Sequence, residues 1–369
     1  MDRRRFLAGL VAGLAASSAG CLGGSTATAT PTAGDGAAFD GPRDGTLPVD
    51  ESDLVRAAGR DEIPAIVDPA FGRDWSAVPE TLGDRDRVIG VTADGRARAY
   101  PLAILNWHEV VNDAFGGPLL VTYCPLCGSG VTAERRADGR TATFGVSGYL
   151  WRRDLVLYDD ATDSLWSQIL GKAVRGPLTG EALALRPSTM TTWGEWRRTH
   201  PDTAVLLPPP ESETVSATGE RNYNTDPYSG YETYEPPEPS RDGSGRRLPP
   251  KELVLGVATD GAARAYPFKS VVEAGGVVND RVGSLPVVVS STHDSLVAYV
   301  RRAGGDILLF GRDGDTLVAG GSRWAVVSGR ALDGPHEGVI LERANDRSPI
   351  FWFAWVDFFP GTDVYGESG

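Results

Sequence analysis

Cys124 and Cys127 are the residues of this sequence best suited to chemistry. They stand three positions apart in Tyr123-Cys124-Pro125-Leu126-Cys127-Gly128, a spacing that lets two thiols share a metal ion, close a small disulfide or cycle as a dithiol pair. A disulfide across so short a loop removes little unfolded-state entropy, so a passive staple is the weaker use. Among the four histidines, His108 lies in Asn106-Trp107-His108-Glu109, just ahead of the thiol loop, and His293 lies in Thr292-His293-Asp294. With both thiols they form a candidate set, Cys124, Cys127, His108 and His293, whose soft mixed donors suit Cu(I) or Zn(II). In a redox reading, Cys124 or Cys127 is the nucleophilic thiolate and the other resolves it, while His108 lowers a thiol pKa or moves its proton. The plain alternative for His108 is a hydrogen-bonded core residue. His200 and His336 sit beside prolines and read as loop residues. Ser164-Leu165-Trp166-Ser167-Gln168 is a weaker candidate, with Trp166, Ser167 and Gln168 able to face a cleft. Asp159-Asp160-Ala161-Thr162-Asp163 reads as a turn.

The elements that position the thiols can be read around them. Leu119–Tyr123 is an apolar, β-prone run, and Val131–Arg135 alternates on the return, so the thiols cap a strand pair. Gly128 suits a turn that needs positive φ, and Pro125 stiffens the loop. Strand, C-P-x-C-G and return strand resemble the knuckle of rubredoxins and zinc ribbons, although the second CxxC of those folds is missing. Upstream, Val88–Val91 and Arg96–Tyr100 flank an Asp94-Gly95 turn. Pro101 then starts a helix carrying Ile104, Leu105, His108 and Val111 at helical spacing, with Asn112-Asp113 as its stop. A hairpin over Ala137-Asp138-Gly139, strands at Leu155–Tyr158, Leu165–Ile169, Ala173–Arg175 and Leu183–Leu185, a Trp-rich helix near Thr192–Thr199 and a strand near Val205 follow.

The same series recurs. Val91-Thr92-Ala93-Asp94-Gly95 and Ala99-Tyr100-Pro101 return as Val257-Ala258-Thr259-Asp260-Gly261 and Ala265-Tyr266-Pro267. Val111-Asn112-Asp113 returns as Val278-Asn279-Asp280, Arg135-Arg136 as Arg301-Arg302, Phe144-Gly145 as Phe310-Gly311, and Trp193 and Trp196 as Trp352 and Trp355. The expected fold is therefore α+β: a tandem pseudo-symmetric repeat of two mostly antiparallel, β-rich units, each with a helix before its central strand pair. The shift from Arg135 to Arg301 sets Cys124 against Ser290 and Cys127 against His293. The expected organisation is 1–21 signal peptide with lipobox, 22–48 flexible tether, 49–207 first unit with the thiols, 208–250 Pro-rich crossing and 251–369 second unit. The crossing carries aromatics over 221–234 that can pin it down, cover the site or line a ligand cleft.

Arg3-Arg4-Arg5-Phe6-Leu7 resembles a twin-arginine export signature. The apolar run after it is too short to span a bilayer, and Ser18-Ala19-Gly20-Cys21 resembles a lipobox. Cys21 is then the lipidated first residue of an exported protein held at the outer face of the cytoplasmic membrane. Export leaves Cys124 and Cys127 as the remaining thiols, in a compartment where disulfides persist. The 369 residues allow two units with real cores. A net charge of −13 excludes nucleic acid as a partner. Lys172, Lys251 and Lys269 are the only lysines, and this acidic, Lys-poor surface resembles that of halophilic, haloarchaeal proteins.

Ile63-Pro64-Ala65-Ile66, Ala99-Tyr100-Pro101, Trp107-His108-Glu109-Val110-Val111-Asn112-Asp113, the thiol loop, Phe144-Gly145-Val146-Ser147-Gly148, Ser164–Gln168 and the Trp193/Trp196 segment together resemble the family called domain of unknown function 3179. That family is described as including selenoproteins, which implies a reactive or metal-binding chalcogen at Cys124 or Cys127. Three expectations follow. The first is a membrane-tethered thiol-dependent oxidoreductase with an exported redox partner. The second is a Cu(I)- or Zn(II)-binding or metal-delivery lipoprotein. The third is a small-ligand module with Trp166 and the aromatic crossing around a cleft.

Overall fold

The structure, a computed structural model, describes residues 46–216, 221–233, 246–259 and 261–367. The twin-arginine signature, Cys21 and most of the tether lie outside them, as do parts of the crossing. The described residues are mostly β, arranged in several sheets with a few short helices. Among them no helix is long and apolar enough to cross a membrane.

The hairpin Arg87–Ala93/Arg96–Pro101 turns at Asp94-Gly95, both at positive φ (52° and 73°), the conformation that a two-residue hairpin turn requires. Helix Leu102–His108 follows Pro101 as expected, but it ends earlier than the apolar spacing suggests. Glu109 takes a left-handed conformation (φ 56°), and Val110–Asp113 is a fully buried strand. Val111 therefore belongs to a sheet, where it pairs with Val121 on one side and Ile66 on the other. Two adjacent β-branched residues favour that outcome once the helix is capped.

Strand Val110–Asp113 brings the chain beside the thiol hairpin, Leu119–Cys124 paired with Ser129–Glu134. The sheet runs, in order, Leu185–Arg186, Ser129–Glu134, Leu119–Cys124, Val110–Asp113, Ile66–Asp68 and Glu213–Thr214. A second sheet, with strands Phe144–Trp151, Asp154–Asp159, Leu165–Ser167 and Lys172–Arg175, packs against it. Cys124, Cys127, Phe144, Trp166 and Val156 share one core with Ile350, Phe351, Trp352 and Trp355 from the C-terminal part of the chain.

Several bond sets occur twice. Arg98 and Tyr100 bond the Asp113 carboxylate at 2.5 and 2.6 Å, and Arg264 and Tyr266 bond that of Asp280 at 2.8 and 2.9 Å. Asn112 clasps Phe144 N and O, and Asn279 clasps Phe310 N and O. Trp196 Nε1 donates to Thr203 Oγ1, and Trp355 Nε1 to Thr362 Oγ1. Gly90 and Gly256 lie flat on these two indoles, where an added Cβ would stand 2.4 and 2.2 Å from ring atoms.

Candidate functional site

Both thiols sit where the sequence places them, at the tip of a buried hairpin. Cys124 ends one strand and pairs with Ser129, which begins the next. Between them the loop closes through Cys127 N to Cys124 O (3.2 Å) and Gly128 N to Pro125 O (3.3 Å). Gly128 has the positive φ expected of it (63°), and its α-carbon faces the Phe351 ring so closely that a Cβ would meet it at 3.1 Å. The thiols are free, with Cys124 2% and Cys127 0% exposed.

The third group at the site is one that sequence reasoning missed. The two sulfurs and a carboxylate oxygen of Asp154 all lie within 4.8 Å of one another. Asp154 opens a strand after Arg152-Arg153, a two-residue turn in which both arginines take positive φ (50° and 68°). Such a turn normally uses Asn or Gly. Here it aims the Arg153 carbonyl at Cys127, whose Sγ donates to it at 3.4 Å. Asp154 is fully buried. Its Oδ2 accepts from Ser167 Oγ (2.5 Å) and Ile169 N (3.1 Å), while its Oδ1 has no hydrogen-bond partner. Burial pushes its carboxyl up to about 7, against the pull of those bonds. Burial also raises the Cys127 thiol well above its usual range, and Cys124, Asp154 and Glu109 add to the effect.

The Ser164–Gln168 segment supports this arrangement from behind. Ser167 holds Asp154, and Gln168 bridges the two strands of the thiol hairpin. Its Oε1 accepts from Ser129 Oγ (3.0 Å), and its Nε2 donates to Thr122 Oγ1 and Ser129 O (3.1 Å each). Trp166, expected as a cleft residue, is 1% exposed and donates to Asp159 at 2.9 Å.

The histidines of the candidate set do not join the thiols. Among the described residues the one such donor group is Cys124, Cys127 and Asp154. Both ring nitrogens of His108 are committed: Nδ1 lies 2.7 Å from Pro64 O and Nε2 2.7 Å from Tyr223 OH. A carbonyl can only accept, so Nδ1 carries the proton and Nε2 accepts from the tyrosine. Burial lowers the His108 pKa to about 4, so the ring is neutral near pH 7 and cannot lend charge to a thiolate. His293 is exposed in the tip Thr292–Ser295, where its backbone N–H donates to Glu195 Oε1 at 3.1 Å.

The strand pairing also corrects the alignment that set Cys124 against Ser290. Pro118 O accepts from Arg135 N as Pro286 O does from Arg301 N, and Tyr123 N donates to Glu109 O as Ser291 N does to Gly276 O. Cys124 then matches Thr292. The second tip closes from Thr292 N to Ser295 O, leaving room for only His293 and Asp294 where the first holds Pro125 to Gly128. The alignment slipped because the second loop is shorter, and a repeat read from flanking residues does not show where the gap falls.

The aromatic crossing lies over the thiol loop and the helix before it. Tyr223 OH reaches His108, Tyr228 OH stands 3.4 Å from Glu109 Oε1, and Tyr231 OH donates to Leu126 O at 3.2 Å. Glu109 is itself buried, with its carboxyl pushed up to about 8. From the other side, Ser348 exchanges bonds with Gly130, its Oγ accepting from Gly130 N, and Phe351 N donates to Cys127 O at 2.9 Å.

Fold and site together define a β-rich α+β protein organised around a buried thiol pair. The chain belongs to the family described as Protein of unknown function (DUF3179), which matches residues 60–362. Neither the curated proteins nor the solved structures give a match.

Proposed function

We propose that this chain is an exported, membrane-tethered protein that holds a soft metal ion, Cu(I) or Zn(II), on Cys124 and Cys127. The observation that carries the reading is the convergence of two free thiols and the Asp154 carboxylate within 4.8 Å at a site almost closed to water. A buried thiol with a raised pKa is a poor nucleophile, whereas an ion supplies the positive charge that burial of thiolates demands. Export and the lipid at Cys21 rest on the twin-arginine and lipobox residues, with an exported metal-handling protein as the partner. The described body is read as two related units, 49–207 and 251–369, and the twice-occurring bond sets support that duplication.

The test is elemental analysis of the full chain purified without chelator and with thiols reduced. One copper or zinc ion per chain is expected, and its loss in Cys124→Ser/Cys127→Ser. A reduced wild type that holds neither ion when supplied with it refutes the reading. A dithiol–disulfide cycle is the second reading, favoured by two free thiols side by side at the tip of one hairpin. It requires reversible oxidation of the pair at a potential that an exported partner can reach, read by alkylation and mass spectrometry across a redox series.

A further inference from the structure

We infer that Asp154 is a third ligand and that it commits the site to a divalent, zinc-like ion over Cu(I). The inference rests on the metal reading above and deepens it.

Two thiolates alone do not discriminate, because a linear bis-thiolate pair satisfies Cu(I) and a tetrahedral site can start from the same pair. The carboxylate decides. Oδ2 is already occupied by Ser167 and the Ile169 amide, so the fully buried Oδ1 remains with its lone pairs unused. Leaving a buried acceptor without a partner is destabilising, and a cation between the three groups removes that cost. Tetrahedral zinc needs donor-to-donor edges of roughly 3.5–3.8 Å, so the groups close by no more than about 1.3 Å from their present limit of 4.8 Å. A carboxylate oxygen is a hard donor, common on zinc and poorly matched to Cu(I). With Cu(I) bound to the sulfurs alone, Oδ1 stays orphaned.

Charge points the same way. Zn(II) with two thiolates and a carboxylate leaves one net negative charge. Arg347, which donates to the carbonyls of Ile169 and Leu170, lies within reach of the charges of both Asp346 and Asp154. Cu(I) with the same three anions leaves two negative charges in a dry site, one more than zinc leaves. The support of Asp154 is built for fixed geometry: the strained Arg152-Arg153 turn delivers it, and Ser167 and Ile169 N set its plane.

The experiment titrates the reduced full chain, wild type and Asp154→Asn, with Zn(II) and separately with Cu(I), each against a competing chelator. X-ray absorption of the zinc-loaded wild type is recorded alongside, because zinc without an oxygen shell excludes Asp154 even where the variant folds poorly. The expected spectrum has two sulfurs at about 2.3 Å and oxygen at about 2.0–2.2 Å. Asp154→Asn is expected to weaken zinc by at least about tenfold and Cu(I) by less than about threefold. Equal losses for both ions, unchanged zinc affinity in the variant, or zinc bound without an oxygen shell each overturn the assignment while leaving the dithiol metal reading in place. A wild type that binds neither ion overturns both.

Discussion

Glu109 holds a costly conformation near the site. It is a buried carboxyl in the left-handed region, at the position where the second half of the chain has Gly276 (φ 78°). A non-glycine residue there costs about 1–2 kcal/mol, so Glu109→Gly is expected to raise the unfolding free energy of the metal-free protein by about 1 kcal/mol in urea titrations. Its titration has a definite sign. A carboxyl raised to about 8 in the fold keeps its protons longer folded than unfolded, so its contribution is full below about 4.5 and lost as the pH rises toward 8. His108 runs the other way. Its pKa is lowered to about 4, so its contribution is present above about 6.5 and lost as the pH falls toward 4. The difference is on the order of 3 kcal/mol by the usual conversion. In urea titrations across pH, His108→Gln should abolish that acid-side slope. Cys124 and Cys127 were legible because two thiols three apart have few ordinary explanations. Asp154 was not, because an aspartate opening an apolar run reads as a strand start, and no sequence spacing links it to a loop that only the tertiary fold brings near.

At the scale of elements, the thiol hairpin depends on its bracing more than on its own turn. Gln168→Ala strands Ser129 and Thr122 groups that it now satisfies. The expected cost is about 2–3 kcal/mol, with metal affinity falling about tenfold although no donor atom is touched; chemical denaturation and competition titration read the two effects. The hairpins, the Pro101 helix start and the Trp-rich helix were readable from Asp-Gly turns, proline and apolar spacing. The end of helix Leu102–His108 was not. Val111 continues the helical spacing, and only the left-handed turn at Glu109 shows that Val110–Asp113 has passed to a sheet.

At the scale of the molecule, the C-terminal part of the chain is a wall of the site. Ser348 and Phe351 seat on Gly130, Gly128 and Cys127, and one core joins both parts. Phe351→Ala should cost about 3 kcal/mol and weaken metal binding some two hundred residues away in the chain, while unfolding stays a single transition by circular dichroism and tryptophan fluorescence. The repeat read in the sequence suggested such a wall, but its alignment put His293 in it. Counting protons decides whether the buried pair is a metal site. When zinc is added to the reduced, metal-free chain in weak buffer at pH 7, each thiol must give up its proton to bind the ion as thiolate. One zinc is expected to bind per chain with at least two protons released, and no release is expected from Cys124→Ser/Cys127→Ser; zinc uptake with fewer than one proton released, or the same release from the variant, rules the metal site out.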